Sequence, residues 1–132
     1  MKFIALLAHD AMKPQLVELV RTWRAFLARH ALVSTEDTGL LLQDTLALNL
    51  QHTPPGTQGG ELHIGALVAN DDIRAVIFLR DALTSRPEYP EFGPILRVCD
   101  IHNVPLATNV ATAHLLLRAF AREAAEALPE LN

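Results

Sequence analysis

The chain has 132 residues, half of them hydrophobic and 20% charged, with a formal net charge of −4. That length fits one domain able to bury a core without covalent staples, and that composition argues against disorder. Only two lysines, Lys2 and Lys13, accompany nine scattered arginines, so there is no basic stripe of the kind that binds nucleic acid.

Residues 3–8 are a continuous apolar run, the pattern of a strand buried on both faces. The run is too short for a secretory leader, and His9-Asp10 ends it where a cleavage site would fall. Asp10 then reads as a possible N-cap, and Pro14 falls in the first helical turn, where its missing N–H costs little. Leu16, Leu19, Val20, Trp23, Phe26 and Leu27 follow at helical spacing as one apolar stripe. The unit recurs, with a short strand at 31–33, a turn over 35–39 and a helix through about Leu46. Residues 48–52 are a candidate third strand. Residues 53–60, with two prolines and three glycines, are a loop.

Glu61 through Ala69 reads as a helix closed by Asn70-Asp71-Asp72. Residues 75–79 are the clearest strand. A loop with Pro87 and Pro90 leads to a helix carrying Phe92, Ile95, Leu96 and Cys99 on one face. Residues 104–107 are the last strand, and the final helix carries Ala113, Leu116, Leu117, Phe120, Ala121 and Ala124 at three- and four-residue steps. Cys99, the lone cysteine, cannot form an internal disulfide and suits a reducing cytosol. The six histidines lack zinc-site spacing and thiolate partners, so no metal is expected. No segment is long and apolar enough to span a bilayer. A cytoplasmic protein with no nucleic-acid or membrane partner is the expectation.

About five strand–helix alternations specify an α/β fold: a three-layer, Rossmann-like open sheet of about five parallel strands with helices on both faces. Residues 1–132 read as a single domain. Ligands of such sheets bind beyond the carboxyl ends of the strands, which directs attention to five places: His9-Asp10, residues 34–39, residues 53–61, Arg80-Asp81 and Thr108-Asn109.

Each place has a chemical and a structural reading. His9 and Asp10 would do acid–base work with Lys13 one turn away to hold an anion, or Asp10 merely caps its helix. In Gly56-Thr57-Gln58-Gly59-Gly60-Glu61 the glycines would bring backbone N–H groups close to a ligand. Glu61 is then a base aimed into the cleft, or only a favourable charge near the helix dipole. Asp81 is a functional carboxylate or a loop acid paired with Arg80 or Arg86. Thr108-Asn109 caps the last helix.

Several stretches, in order and spacing from residue 3 to about residue 118, resemble the methylglyoxal synthase family. They are residues 4–10 with Lys13, Gly59-Gly60 with residues 64–68, residues 76–84, residues 96–98, and Val104-Pro105-Leu106-Ala107-Thr108-Asn109-Val110-Ala111-Thr112-Ala113. The resemblance implies a methylglyoxal synthase-like fold and a lyase that converts dihydroxyacetone phosphate to methylglyoxal and phosphate. It implies no cofactor or metal, and assembly as a homohexamer. A carboxylate takes a proton from the carbon beside the carbonyl, a neutral histidine polarises the carbonyl oxygen, and the enediolate expels phosphate.

Carried residue by residue, the resemblance assigns catalytic roles to Glu61, Asp10, Asp81 and His9. It assigns substrate and phosphate contacts to Lys13, Thr35, Thr38, Gly39, Gly56, Gly59 and Gly60. This chain departs from the pattern at several of these places. Glu61 stands where the family has aspartate, and Pro55 where it has a phosphate-contacting serine. Thr35-Glu36-Asp37-Thr38-Gly39 stands for Thr-Gly-Thr-Thr-Gly. The Pro-His-x-Pro-Asp loop reads Pro87-Glu88-Tyr89-Pro90-Glu91, so Glu88 takes the place of the catalytic histidine and Glu91 that of an aspartate. His63, in place of a glutamine, is a candidate replacement imidazole. Glu36, Asp37, Glu88 and Glu91 make the cleft mouth acidic, which motivates an alternative: a catalytically altered or inactive module that binds a different small metabolite.

Overall fold

The computed structural model describes residues 2–83 and 92–127. Five strands, β1 (Phe3–Ala8), β2 (Leu32–Thr35), β3 (Gln51–Thr53), β4 (Ile73–Leu79) and β5 (Leu106–Ala107), form one parallel sheet in the order β3-β2-β1-β4-β5. Helices α1 (Lys13–Thr22), α2 (Arg24–Leu27), α3 (Glu36–Leu46), α4 (Gly60–Ala69), α5 (Phe92–His102) and α6 (Val110–Ala127) connect and follow the strands. The expected alternation and open parallel sheet are therefore both present.

Strand parity sorts the core into two layers. Ile4 and Leu6 of β1 and Ile77 and Leu79 of β4 pack with Leu16, Leu19 and Val20 of α1, Leu42 and Leu46 of α3, and Leu117 of α6. Ala5, Leu7, Val76 and Phe78 face the other way, onto Ile64 and Val68 of α4 and Ile95 and Cys99 of α5. Each fully buried Leu or Ile contributes about 1.5–3 kcal/mol. Ile73 lies in the second layer although its odd number matches Ile77. The β1–β4 register slips by one residue there, with Phe3 opposite Ile73 and Ile4 opposite Ala75. One extra residue turns Ile73 to the opposite face.

Four boundaries differ from the sequence reading. Residues 35–39 are not a turn: β2 runs to Thr35 and α3 begins at Glu36. The third strand lies at Gln51–Thr53 rather than 48–52, and it is polar because it is the exposed sheet edge. The long apolar stripe after β1 breaks at Trp23, whose φ of −103° and ψ of 15° separate α1 from α2. Asp10 is not a cap, because a 3₁₀ turn over Asp10–Met12 intervenes and His9 stands at its cap position without a side-chain capping bond. At the far end Asn109 does cap α6, its Oδ1 accepting the Thr112 N–H at 2.9 Å.

The sheet order positions the ligand rim. Successive strands step outward from β1 through β2 to β3, then resume on its other side at β4 and β5. The topological switch thus lies between β1 and β4, where open sheets of this kind form their crevice. His9-Asp10 follows β1 and Arg80-Asp81 follows β4, so both flank it.

Candidate active site

The central part of the rim is fixed by backbone. Ala8 pairs with Leu79, and the His9 N–H donates to the Leu79 carbonyl at 3.1 Å. The buried His9 ring then receives the Asp81 N–H on Nδ1 at 2.8 Å and packs edge-on against Phe78, centroids 5.1 Å apart. A ring nitrogen that accepts a hydrogen bond holds a lone pair, so the proton of the neutral imidazole is on Nε2. Asp81 is half-buried, and its Oδ1 accepts the Leu83 N–H at 3.2 Å. Two residues 72 apart in sequence are thereby joined at the switch point.

The flanking part of the rim is held by charge. Lys13, in the first turn of α1, places Nζ 2.9 Å from Asp10 Oδ1 and 2.9 Å from Asp37 Oδ2. Desolvation alone would lower the Lys13 pKa, but hydrogen bonds and charge from Asp37 and Asp10 raise it above its ordinary 10.5. Burial likewise pushes the Asp37 carboxyl up. Lys13 outweighs that and holds it below the ordinary value, with help from the Thr35 hydroxyl and Asp37's own backbone N–H. Lys13, expected to hold a ligand anion, is here paired with two carboxylates of the chain itself.

Glu61 lies in the first turn of α4, half-buried. Burial pushes its carboxyl above the usual 4.5. Its own backbone N–H opposes the rise, and the charge of Asp37 adds to it. Asp37 therefore links two neighbourhoods, touching Lys13 and acting on Glu61. Adjacent parallel strands are about 4.8 Å apart, so the ends of β2, β1 and β4 fall within about 10 Å. Asp10, Lys13, Asp37, Glu61, His9 and Asp81 all lie along this one rim.

The twin glycines shape the turn that leads into Glu61 and the first turn of α4. Gly59 has φ of 86°, a left-handed conformation that favours glycine. A Cβ on Gly60 would lie 2.1 Å from the Pro54 carbonyl oxygen and 2.8 Å from Thr35 Cγ2, so its absence lets α4 close onto β2 and β3. The Gly59 and Gly60 N–H groups donate to the Gly56 and Pro55 carbonyls at 3.2 and 3.1 Å. Both amides are engaged within the turn, which leaves Gly56 as the loop glycine outside those donor roles.

Thr35, Thr38 and Gly39 are buried at the start of α3. Gly39 lies beneath the His52 ring, where a Cβ would meet Cδ2 at 2.7 Å. His63 is exposed on α4, two residues past Glu61 and thus about 200° around the helix, so the two do not share a face. Glu88 and Glu91, with Arg86, Pro87 and Pro90, lie outside the described residues. Cys99 is buried and its thiol is pushed up to about 11, chiefly by that burial, which removes it as a nucleophile near neutral pH.

Sequence reasoning missed the pairing of Asp37 with Lys13. The signal that locates Asp37 was present: a threonine followed by two acids is a helix start, and α3 does begin directly after Thr35. Ser34, within the stretch 34–39 that the sequence singles out, has a structural role: its buried hydroxyl donates to the Leu6 carbonyl at 2.6 Å and ties β2 to β1 below the rim.

The chain matches the MGS-like domain model over residues 15–108. It is 45% identical over 119 residues to methylglyoxal synthase of Caldicellulosiruptor saccharolyticus, covering 90% of this chain and 84% of that protein. It is 47% identical over 116 residues to methylglyoxal synthase of Carboxydothermus hydrogenoformans, covering 88% and 96%. The crystal structure of methylglyoxal synthase from Elizabethkingia anophelis superposes with a TM-score of 0.85 at 34% identity, covering 88% of this chain and 76% of that one.

Proposed function

This chain belongs to the MGS-like domain family, and from that premise we propose that it is a methylglyoxal synthase-type lyase. It converts dihydroxyacetone phosphate to methylglyoxal and phosphate, with residues 1–132 acting as one domain and no cofactor or metal. The observation that carries the reading is the half-buried Glu61 carboxylate with its raised pKa, which follows the Gly59-Gly60 turn at the start of α4, on the rim along which His9, Asp10 and Asp81 also lie. A base is most effective when its pKa approaches the working pH, and burial moves Glu61 in that direction.

In the proposed reaction Glu61 removes a proton from the carbon that bears the hydroxyl, beside the carbonyl. His9, its ring held by the Asp81 N–H on Nδ1, takes over the role of the family histidine whose position Glu88 holds and polarises the carbonyl oxygen as negative charge gathers there; such a preorganised donor contributes about 10²- to 10³-fold. The enediolate then expels phosphate by breaking the carbon–oxygen bond. Lys13, Thr35, Thr38 and Gly39 at the start of α3, with Gly56, form the phosphate side, and Gly59 and Gly60 shape it. Asp10 orients Lys13. Exposed Leu62, Ile101 and Leu115 supply apolar surface for assembly as a homohexamer, which sedimentation tests. A cytoplasmic location goes with the substrate.

Purified protein with dihydroxyacetone phosphate and no added metal is expected to release phosphate and methylglyoxal one to one. Glu61→Gln is expected to abolish both. Absence of turnover in the wild type overturns the reading. One observation favours a second reading, a module for a different small metabolite: Lys13 is already paired with two carboxylates. In that case small amines would raise the melting temperature and phosphate would not.

A further inference from the structure

Asp37 stands at a position where a second negative group is expected to arrive. It lies in the first turn of α3, whose N-terminal end carries the positive end of the helix dipole. Its carboxylate takes up Lys13 Nζ at 2.9 Å, and the Thr35 hydroxyl and the backbone N–H of residue 37 also favour its charged form. Those are the donors that would meet a phosphate on this side of the cleft. Asp10 Oδ1, also 2.9 Å from Nζ, adds a second negative charge to the same cation. Lys13, with only 20% of its side chain exposed, has little freedom to reach past both.

We propose that Asp37 is a specificity-determining residue that acts as a built-in competitor for phosphate, occupying the donors of the anion side until the substrate's phosphate displaces it. The inference rests on the lyase reading for the identity of the displacing group. Its chemistry is nonetheless independent of turnover, because a carboxylate and a phosphate cannot share one ammonium without mutual repulsion. The competition weakens binding of any dianion, product phosphate included, and favours substrates whose affinity comes from the carbonyl end. Glu36, one residue earlier in the same turn, is exposed. Among the described residues Lys13 pairs with Asp10 and Asp37 and not with Glu36.

Calorimetric titration of inorganic phosphate at pH 8 and fixed ionic strength separates these roles. Asp37→Asn and Asp37→Thr are expected to tighten phosphate binding at least about tenfold relative to wild type. Glu36→Gln, which removes the same formal charge, is expected to change it less than about threefold. The KM for dihydroxyacetone phosphate should fall in both Asp37 variants with a smaller change in kcat. Unchanged phosphate affinity in both Asp37 variants overturns the proposal, as does an equal gain in Glu36→Gln, which would reduce the effect to net charge. Because the titration reads binding alone, loss of the lyase reading would appear as absent turnover in every protein and leave this comparison intact.

Discussion

The two halves of the rim are built by different means. The half at the ends of β1 and β4 is set by backbone: strand register, a buried ring and an N–H to Nδ1 contact of 2.8 Å. The half at α3 and α4 is set by charge: Lys13 between two carboxylates, and Asp37 acting on Glu61. A backbone-built half tolerates little change, since moving one residue moves the sheet. A charge-built half accepts new side chains without altering the fold, because exposed ion pairs contribute only about 0–1 kcal/mol to stability. The difference teaches where substitution is tolerated: changes in the backbone-built half disturb the sheet, and changes in the charge-built half leave it intact.

Glu61→Gln probes the charge-built half with the largest expected effect, a fall of about 10²- to 10⁴-fold in kcat/KM. Its melting temperature should hold or rise, since a half-buried charge is removed. A parallel loss of folding would place Glu61 in the frame instead.

Gly60→Ala tests the hinge between the halves. A methyl 2.1 Å from the Pro54 carbonyl forces α4 away from β2, and a loss of about 3 kcal/mol is expected in urea unfolding. An unchanged unfolding midpoint would mean that the turn adapts and that Glu61 is not held by it.

His9→Ala attacks the backbone-built half. It removes the acceptor of the half-buried Asp81 N–H and a buried ring from beside Phe78, and a lost hydrogen bond costs about 0.5–1.5 kcal/mol, so stability should drop along with turnover. Loss of turnover with full stability would show that the contact serves chemistry alone.

The smallest effect concerns pH. The folded-state pKa of Glu61 is raised, first by burial and then by Asp37, so its base form appears above pH 4.5. The acid limb of kcat/KM should therefore lie above 4.5, and Asp37→Asn should move it downward by removing the nearby charge. The same sign governs stability: ionising Glu61 as pH rises through its raised pKa disfavours the folded state. A limb that ignores Asp37→Asn would uncouple the two helix starts.

Much of the fold was legible because strands buried on both faces read as unbroken apolar runs, as in residues 3–8 and 75–79. β3 was less so, since Gln51-His52-Thr53 is a polar edge strand whose place comes from pairing with β2. The start of α3 was misread because a turn over 35–39 was expected where two acids open the helix. Within the site, His9 and Asp81 were legible as residues at strand ends. The Lys13–Asp37 pair was not, because its partners are 24 residues apart and meet only once α1 and α3 pack on the same face. The raised pKa of Glu61 is likewise a property of burial, which no local motif encodes.

The central claim is that Glu61 takes a proton from carbon. Dihydroxyacetone phosphate tritiated at its hydroxyl-bearing carbon reads that step directly as label released to water. The account predicts wash-out at least as fast as phosphate release in the wild type and none above background in Glu61→Gln, with the variant still folded. Wash-out at the wild-type rate in Glu61→Gln would contradict it.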